Sequence, residues 1–328
     1  MKYRKFGRLG WDVSEIGFGA WALGGGAWGH QDDSDSLAAL HRALDLGVNL
    51  IDTAAGYGGG RSERIIADAL KGRPGQREKT YIVTKTPPAP GHWPPLPHDD
   101  VSLRYPEDYL RANLEERLRN LNTDCLDVLL LHTWTRAWNR DPKPLETLRR
   151  LKQEGKIRAF GISTAEHDQD QLNALMARGE LDVIQIIYNI FDQQPAAEAL
   201  PVALESGTGV MGRVVFDEGS LTGKFTAETV FPEGDFRHRY FGGDRLARTV
   251  ARVEKIREDI AGSSFTLPQA AIKFALANPA VSTVIPGMRN VAQTDANVSV
   301  SDLPPMTEAL ESSLRKHIWM RGNWHTGK

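Results

Sequence analysis

Residues 49–70 read NLIDTAAGYGGGRSERIIADAL, and the fold turns on how this stretch is understood. A short apolar run stops on Asp52, passes through small residues to a glycine-flanked Tyr57, and enters a segment with helical periodicity. Glycines before a helix suggest either a phosphate cradle or a loop that must bend sharply. The cradle needs G-x-G-x-x-G after a first strand and an acid at the end of the next. Here the spacing is G-x-G-G-G, it follows a second apolar run, and the next run ends on Lys85. The stretch therefore reads as a strand, loop and helix in which the strand presents an acid and the loop a tyrosine.

The same punctuation recurs along the chain. Apolar runs at 15–18, 48–51, 80–84, 128–131, 159–162, 183–187, 210–214 and 282–285 predict eight strands. Amphipathic stretches at 34–46, 61–71, 106–121, 145–154, 169–178, 196–205, 246–260 and 267–277 alternate with them. A last helix is expected over 306–320, followed by a polar tail containing Trp324. In 106–121, Leu110, Leu114, Leu118 and Leu121 share one helical face. Strands that are continuously apolar belong to a parallel sheet covered on both faces. Eight of them predict an α/β fold, a (β/α)8 TIM barrel, as one domain over 1–328. The opening YRKFGRLGWDVSEIG reads as a hairpin turning near Gly7–Gly10, at the barrel base. Two long loops, 86–106 and 219–245, follow the third and seventh strands and so belong to the C-terminal rim, where barrel active sites are built.

Strand ends carry the chemical signal. The second ends on Asp52, the third on Lys85 and the fourth on His132, with Tyr57 just after the second. Singly, such residues are caps, ion pairs or solvated charges; together they form a titratable constellation at one mouth. A phenol with a reference pKa of about 10 is a poor proton donor near neutrality unless a cation favours its phenolate. Lys85 is expected to bring Tyr57 down toward working range, with Asp52 holding the ammonium charged. His132 is expected to position a carbonyl oxygen.

Taken in order, NLIDTAAGYGGGRSE, VTKT, DCLDVLLLHTW and FGIST resemble the landmarks of the aldo-keto reductases, and the resemblance covers essentially the whole chain. It implies a barrel that binds NADPH, with NADH second to it, across the C-terminal rim and reduces aldehydes or ketones. The catalytic set it implies is Asp52, Tyr57, Lys85 and His132, with Tyr57 as proton donor. Ser163 and Gln185 match residues that hold the nicotinamide carboxamide, and Thr164 stands where asparagine is usual. Arg213 takes the place of a common aromatic stack. Phe216, Gly219, Leu221 and Lys224 match the phosphate side; Gly287, Arg289, Gln293 and Asn297 match the adenosine end. Arg289, after a glycine and near a helix start, is a fitting ligand for a 2′-phosphate. Trp21 and Trp134, out of the rim tryptophans Trp21, Trp28, Trp93, Trp134 and Trp138, are the expected walls of an apolar substrate pocket.

Composition narrows the remaining possibilities. Hydrophobic residues make up 41% and charged residues 25%, enough for a large core. A net charge of −2 gives no electrostatic case for nucleic acid or an anionic membrane as partner. Cys125 is the only cysteine, which excludes an internal disulfide and a thiolate metal cluster. The start lacks an apolar leader and no run reaches the length of a membrane span, so the expected location is cytoplasmic. Two rival functions remain: a cofactor-binding regulatory subunit with little turnover, and a Schiff-base lyase using Lys85, which borohydride trapping would reveal.

Overall fold

A computed structural model describes residues 1–319; the tail with Trp324 lies outside the described residues. The chain opens with an antiparallel hairpin, β1 (Tyr3–Lys5) against β2 (Asp12–Ser14), as expected from its turn glycines. Eight parallel strands follow: β3 (Phe18–Gly19), β4 (Leu50–Asp52), β5 (Tyr81–Thr86), β6 (Leu126–Leu131), β7 (Ile157–Ser163), β8 (Val183–Ile187), β9 (Gly209–Arg213) and β10 (Val281–Val284). Each pairs with its neighbour in chain order. The sheet curls until its ends meet, through bridges joining Ile16 to Val284 and Gly19 to Gly287. There the Gly17 and Gly19 amides donate to the Val284 and Pro286 carbonyls at 2.8 and 3.0 Å.

Every expected strand has its counterpart, shifted by a few residues at the ends. Helices occupy the connections, including Asp33–Asp45, Arg61–Lys71, Glu107–Leu121, Lys143–Gln153, Ala199–Ser206, Arg245–Ile260 and Leu267–Ala277. Their apolar faces pack outside the sheet, and Leu110, Leu114, Leu118 and Leu121 are all buried there. The helix expected over 169–178 is shorter, Asn173–Ala177. Gln169 instead spends its side chain on Thr164, the Ala165 carbonyl and the Ile187 amide, which holds the preceding residues in a turn. The long loop after β9 also packs Phe231, Phe241 and Phe225 into a small apolar cluster against Leu246 of the helix Arg245–Ile260.

A second apolar cluster fills the barrel interior. Leu50, Val83, Val128, Leu130, Ala159, Val183, Met211 and Ile285 point inward, and Phe6 of the hairpin turn plugs the base. Side chains alternate across a strand, so the residue two places on faces the same way. From Leu50, Val83, Leu130, Val183 and Met211 that step reaches Asp52, Lys85, His132, Gln185 and Arg213. The apolar interior thus delivers a polar layer at the C-terminal mouth.

Candidate active site

Lys85 is fully buried and its ammonium is bound on several sides. Nζ donates to both Asp52 carboxylate oxygens at 2.8 Å and to the Thr53 carbonyl at 2.7 Å. It also donates to Tyr57 Oη at 3.4 Å. Gln185 Nε2 donates to Asp52 Oδ1 at 2.7 Å, and Ser163 Oγ to Gln185 Oε1 at 3.3 Å. A continuous buried chain therefore runs from Ser163 to the phenol of Tyr57. Burial pushes the Asp52 acid up and the Lys85 amine down, while their mutual attraction opposes both shifts. The two-oxygen contact, with a carbonyl and an amide as further partners, satisfies the ion pair that burial would otherwise penalise.

The expectation for Tyr57 is corrected by this geometry. Its phenol lies well above the ordinary value near 10, chiefly through burial and secondly through the Asp52 charge, with Arg213 opposing. Burial of the phenol and the Asp52 carboxylate outweigh the Lys85 ammonium that donates to it at 3.4 Å. Tyr57 consequently holds its proton throughout the neutral range. His132 lies well below its ordinary value of 6.5, pushed down by burial and then by Lys85 and Arg213, so its imidazole is neutral there. Its ring stands edge-on to Tyr57 with centroids 6.1 Å apart.

The glycines of the opening stretch explain how Tyr57 reaches the mouth. Gly58, Gly59 and Gly60 all adopt positive φ, and a Cβ on Gly58 would collide with the Gly24 carbonyl. The loop turns back through left-handed backbone, and Gly60 caps the helix Arg61–Lys71.

The substrate side differs from expectation at one wall. Trp21 lies beside Tyr57 with centroids 6.0 Å apart and also meets Trp28 and Phe236. Trp134, by contrast, is fully buried against Tyr105 and Trp138, its indole N–H donating to Asn139 Oδ1 at 2.9 Å. Two residues past His132 would bring a strand residue back to the mouth, but β6 ends at Leu131 and the pleat no longer governs. At the mouth it is Trp93 that stands half-exposed and edge-on to His132, with centroids 5.3 Å apart. The loop carrying it is pinned by Arg104, which donates to the His92 carbonyl and Asp99 at 2.9 and 3.1 Å. A tryptophan in a long proline-rich rim loop was the only signal in the sequence for it.

The expected cofactor contacts divide as well. Ser163 and Gln185 sit side by side on β7 and β8, buried at the mouth. Thr164 spends its one hydroxyl proton on Gln169 Oε1 at 2.7 Å and the Gln185 carbonyl at 3.2 Å, so toward a carboxamide it can only accept, from the N–H side. Arg213 donates to the Thr164 carbonyl at 2.9 Å, while its buried Nε meets no hydrogen-bond partner among the described residues. Phe216 packs on the outer core, and Gly219, with φ +97, caps the short turn Ser220–Thr222. Leu221 is corrected: its side chain is buried and its amide donates to the Phe216 carbonyl, so neither can reach a phosphate. Lys224 is exposed on the same turn. At the far end Arg289 and Gln293 line a cleft with His30, Gln31, Asp32, Asp35 and Asn290. Arg289 Nε donates to Gln31 Oε1 at 2.8 Å. Gly287 is exposed beside it, and Asn297 donates to the Gly287 carbonyl at 3.2 Å. The buried Ser163–Gln185 pair, the unpartnered Arg213 Nε and this distal cleft fit an extended nicotinamide dinucleotide.

Barrel and site together define an oxidoreductase of the kind the sequence motifs resemble. The model of the Aldo/keto reductase family matches residues 15–317, and the chain belongs to that family. It is 30% identical over 301 residues to "Aldo-keto reductase YhdN" of Bacillus subtilis (strain 168), covering 90% of this chain and 87% of that one. It is 29% identical over 333 residues to "NADH-specific methylglyoxal reductase" of Escherichia coli (strain K12), covering 95% and 99%. The structure resembles that of an aldo-keto reductase from Bacillus halodurans in its holo form, with a TM-score of 0.76 at 26% identity, over 98% of this chain and 99% of that one.

Proposed function

We propose that this protein reduces small aldehydes or ketones to alcohols, with Tyr57 as proton donor and NADPH as hydride source. The observation that carries the reading is the buried Asp52–Lys85 pair standing directly behind the phenol of Tyr57. When bound, the reduced nicotinamide supplies a hydride to the carbonyl carbon. The carbonyl π pair then moves onto oxygen, which takes the proton from Tyr57 Oη. Lys85 stabilises the phenolate left behind, and Asp52 and the Thr53 carbonyl keep that ammonium in place. Neutral His132 donates a hydrogen bond to the carbonyl oxygen and orients it. Trp21 and Trp93 exclude water from the reacting atoms. Ser163 and Gln185 would hold the carboxamide, and Gly219 and Lys224 the phosphates.

Arg289 supports NADPH, since a guanidinium suits a 2′-phosphate. A second reading, NADH, draws support from Asp32 and Asp35, whose carboxylates line the same cleft and would repel that phosphate. The name of the Escherichia coli relative agrees with it. Lys85 as a Schiff-base nucleophile is disfavoured by its engagement with Asp52, because the attacking amine must be neutral with a free lone pair. The test couples binding and turnover: titrate both reduced dinucleotides, then follow their consumption with a panel of small aldehydes. Tyr57→Phe should lower reduction by about 10³-fold while leaving cofactor affinity within about twofold. Tight binding with no turnover on any carbonyl would favour the regulatory subunit, and tighter binding of NADH would favour the second cofactor reading.

A further inference from the structure

Arg213 ends β9, two residues beyond Met211 of the barrel interior, and so faces the mouth from the layer that holds Gln185. Its side chain is 17% exposed and pairs with the largely exposed Glu166 at 3.5 Å. Its charge reaches Asp52, Tyr57, Lys85 and His132 alike. A hydride donor must lie against the same carbonyl that Tyr57 protonates, so it stands within the same field. A reduced nicotinamide ring is neutral, whereas the oxidised ring carries a positive charge. A fixed cation beside the ring therefore distinguishes the two forms, because a guanidinium stays charged and a partly buried site screens it weakly. An aromatic side chain in this place would stack on either ring without that distinction.

We infer that Arg213 makes the site bind the reduced nicotinamide more tightly than the oxidised one, which speeds release of spent cofactor and biases the enzyme toward carbonyl reduction. The inference rests on the nicotinamide-dependent reading given above. Asp52 and Lys85 largely cancel each other at the site, so Arg213, balanced only in part by the exposed Glu166, supplies the net positive charge. Glu166 opposes it from the rim, where water weakens its effect. At Tyr57 the Glu218 carboxylate pushes the phenol up, against the pull of Arg213.

The test is a pair of equilibrium titrations, with oxidised and reduced dinucleotide separately, on wild type, Arg213→Met, Arg213→Lys and Glu166→Gln. Both NADP+/NADPH and NAD+/NADH are used, so the result does not depend on the 2′-phosphate. Arg213→Met should narrow the ratio of oxidised to reduced dissociation constants by about fivefold, and Arg213→Lys should hold it within about twofold. Glu166→Gln should widen it by about twofold, a shift of opposite sign that a general loosening of the site would not produce. A thermal melt shows whether Arg213→Met is folded; if it is not, the direction of the Glu166→Gln shift decides. Unchanged ratios with binding of both forms intact would overturn the inference and leave the reductase reading standing. A wild-type chain that binds neither form would overturn the reading itself.

Discussion

The two ends of the barrel interior are made by the same strands and have opposite chemistry. At the base, Phe6 plugs a packed layer that includes Leu50, Val83, Leu130, Val183 and Met211. Two residues further along those strands stand Asp52, Lys85, His132, Gln185 and Arg213. The lower layer has no geometry to defend beyond close packing, whereas the upper one is a charged pair and an amide held to within hydrogen-bond distances. Strands braced by the first layer let the second keep its spacing before any ligand arrives. Preorganisation at the mouth is thus supplied from below.

Four measurements would break or sharpen that contrast. Lys85→Met strikes the polar layer hardest, leaving the Asp52 carboxylate buried without its ammonium. It should cost about 3–5 kcal/mol in denaturant unfolding and roughly 10³-fold in kcat/KM. Adding Asp52→Asn should recover most of the stability and none of the activity; recovery of both would show the pair to be structural. Phe6→Ala strikes the apolar layer: about 3–5 kcal/mol lost to a cavity, with kcat within about twofold of wild type. A large fall in kcat would mean that the two layers are not separable.

The tryptophans repeat the contrast at smaller scale. Trp134→Ala should lower the melting temperature and leave KM values alone, while Trp21→Ala and Trp93→Ala should raise KM by roughly tenfold, about 1.4 kcal/mol of binding, with little loss of stability. Changed substrate range in Trp134→Ala would restore it as a wall. The gentlest probe is pH. Reduction needs the Tyr57 proton, so activity is lost only as pH rises through a phenol value that lies well above 10. His132 gains charge only well below 6.5. Reductive kcat/KM should therefore stay level between about pH 7 and 10. An alkaline limb near pH 8 would show that Lys85 does depress the phenol.

The sequence carried the strands because each is a continuous apolar run, and it carried Asp52, Lys85 and His132 because each ends such a run. Trp134 follows His132 by two residues but lies past the end of β6 at Leu131, where nearness in sequence to the mouth no longer says which way a side chain faces. Trp93 and Leu221 sit in irregular loops with no strand or helix period to read: the first is held by Arg104 on the neighbouring His92 carbonyl, the second by a backbone turn onto the Phe216 carbonyl. The link from Gln185 to Asp52 spans 133 residues and has no local pattern to betray it. Lys85 beside Tyr57 and Asp52 beside Lys85 are both legible in the strand ends; the burial of the phenol, which outweighs the ammonium, is not.

The close approach of Gly24 and Gly58 has a bearing on how this enzyme can be altered. Gly24 ends the short turn that begins at Trp21, and a Cβ placed on it would come within 2.6 Å of the Tyr57 backbone. The turn bearing Trp21 and the loop bearing Tyr57 are thus in backbone contact, so libraries that reshape the surroundings of Trp21 will also disturb Tyr57. Trp93 hangs from a separate loop with its own anchors, and diversity introduced there can retune substrate choice while Tyr57 stays where it is. For directed evolution of new specificity, the loop after β5 is the better place to begin.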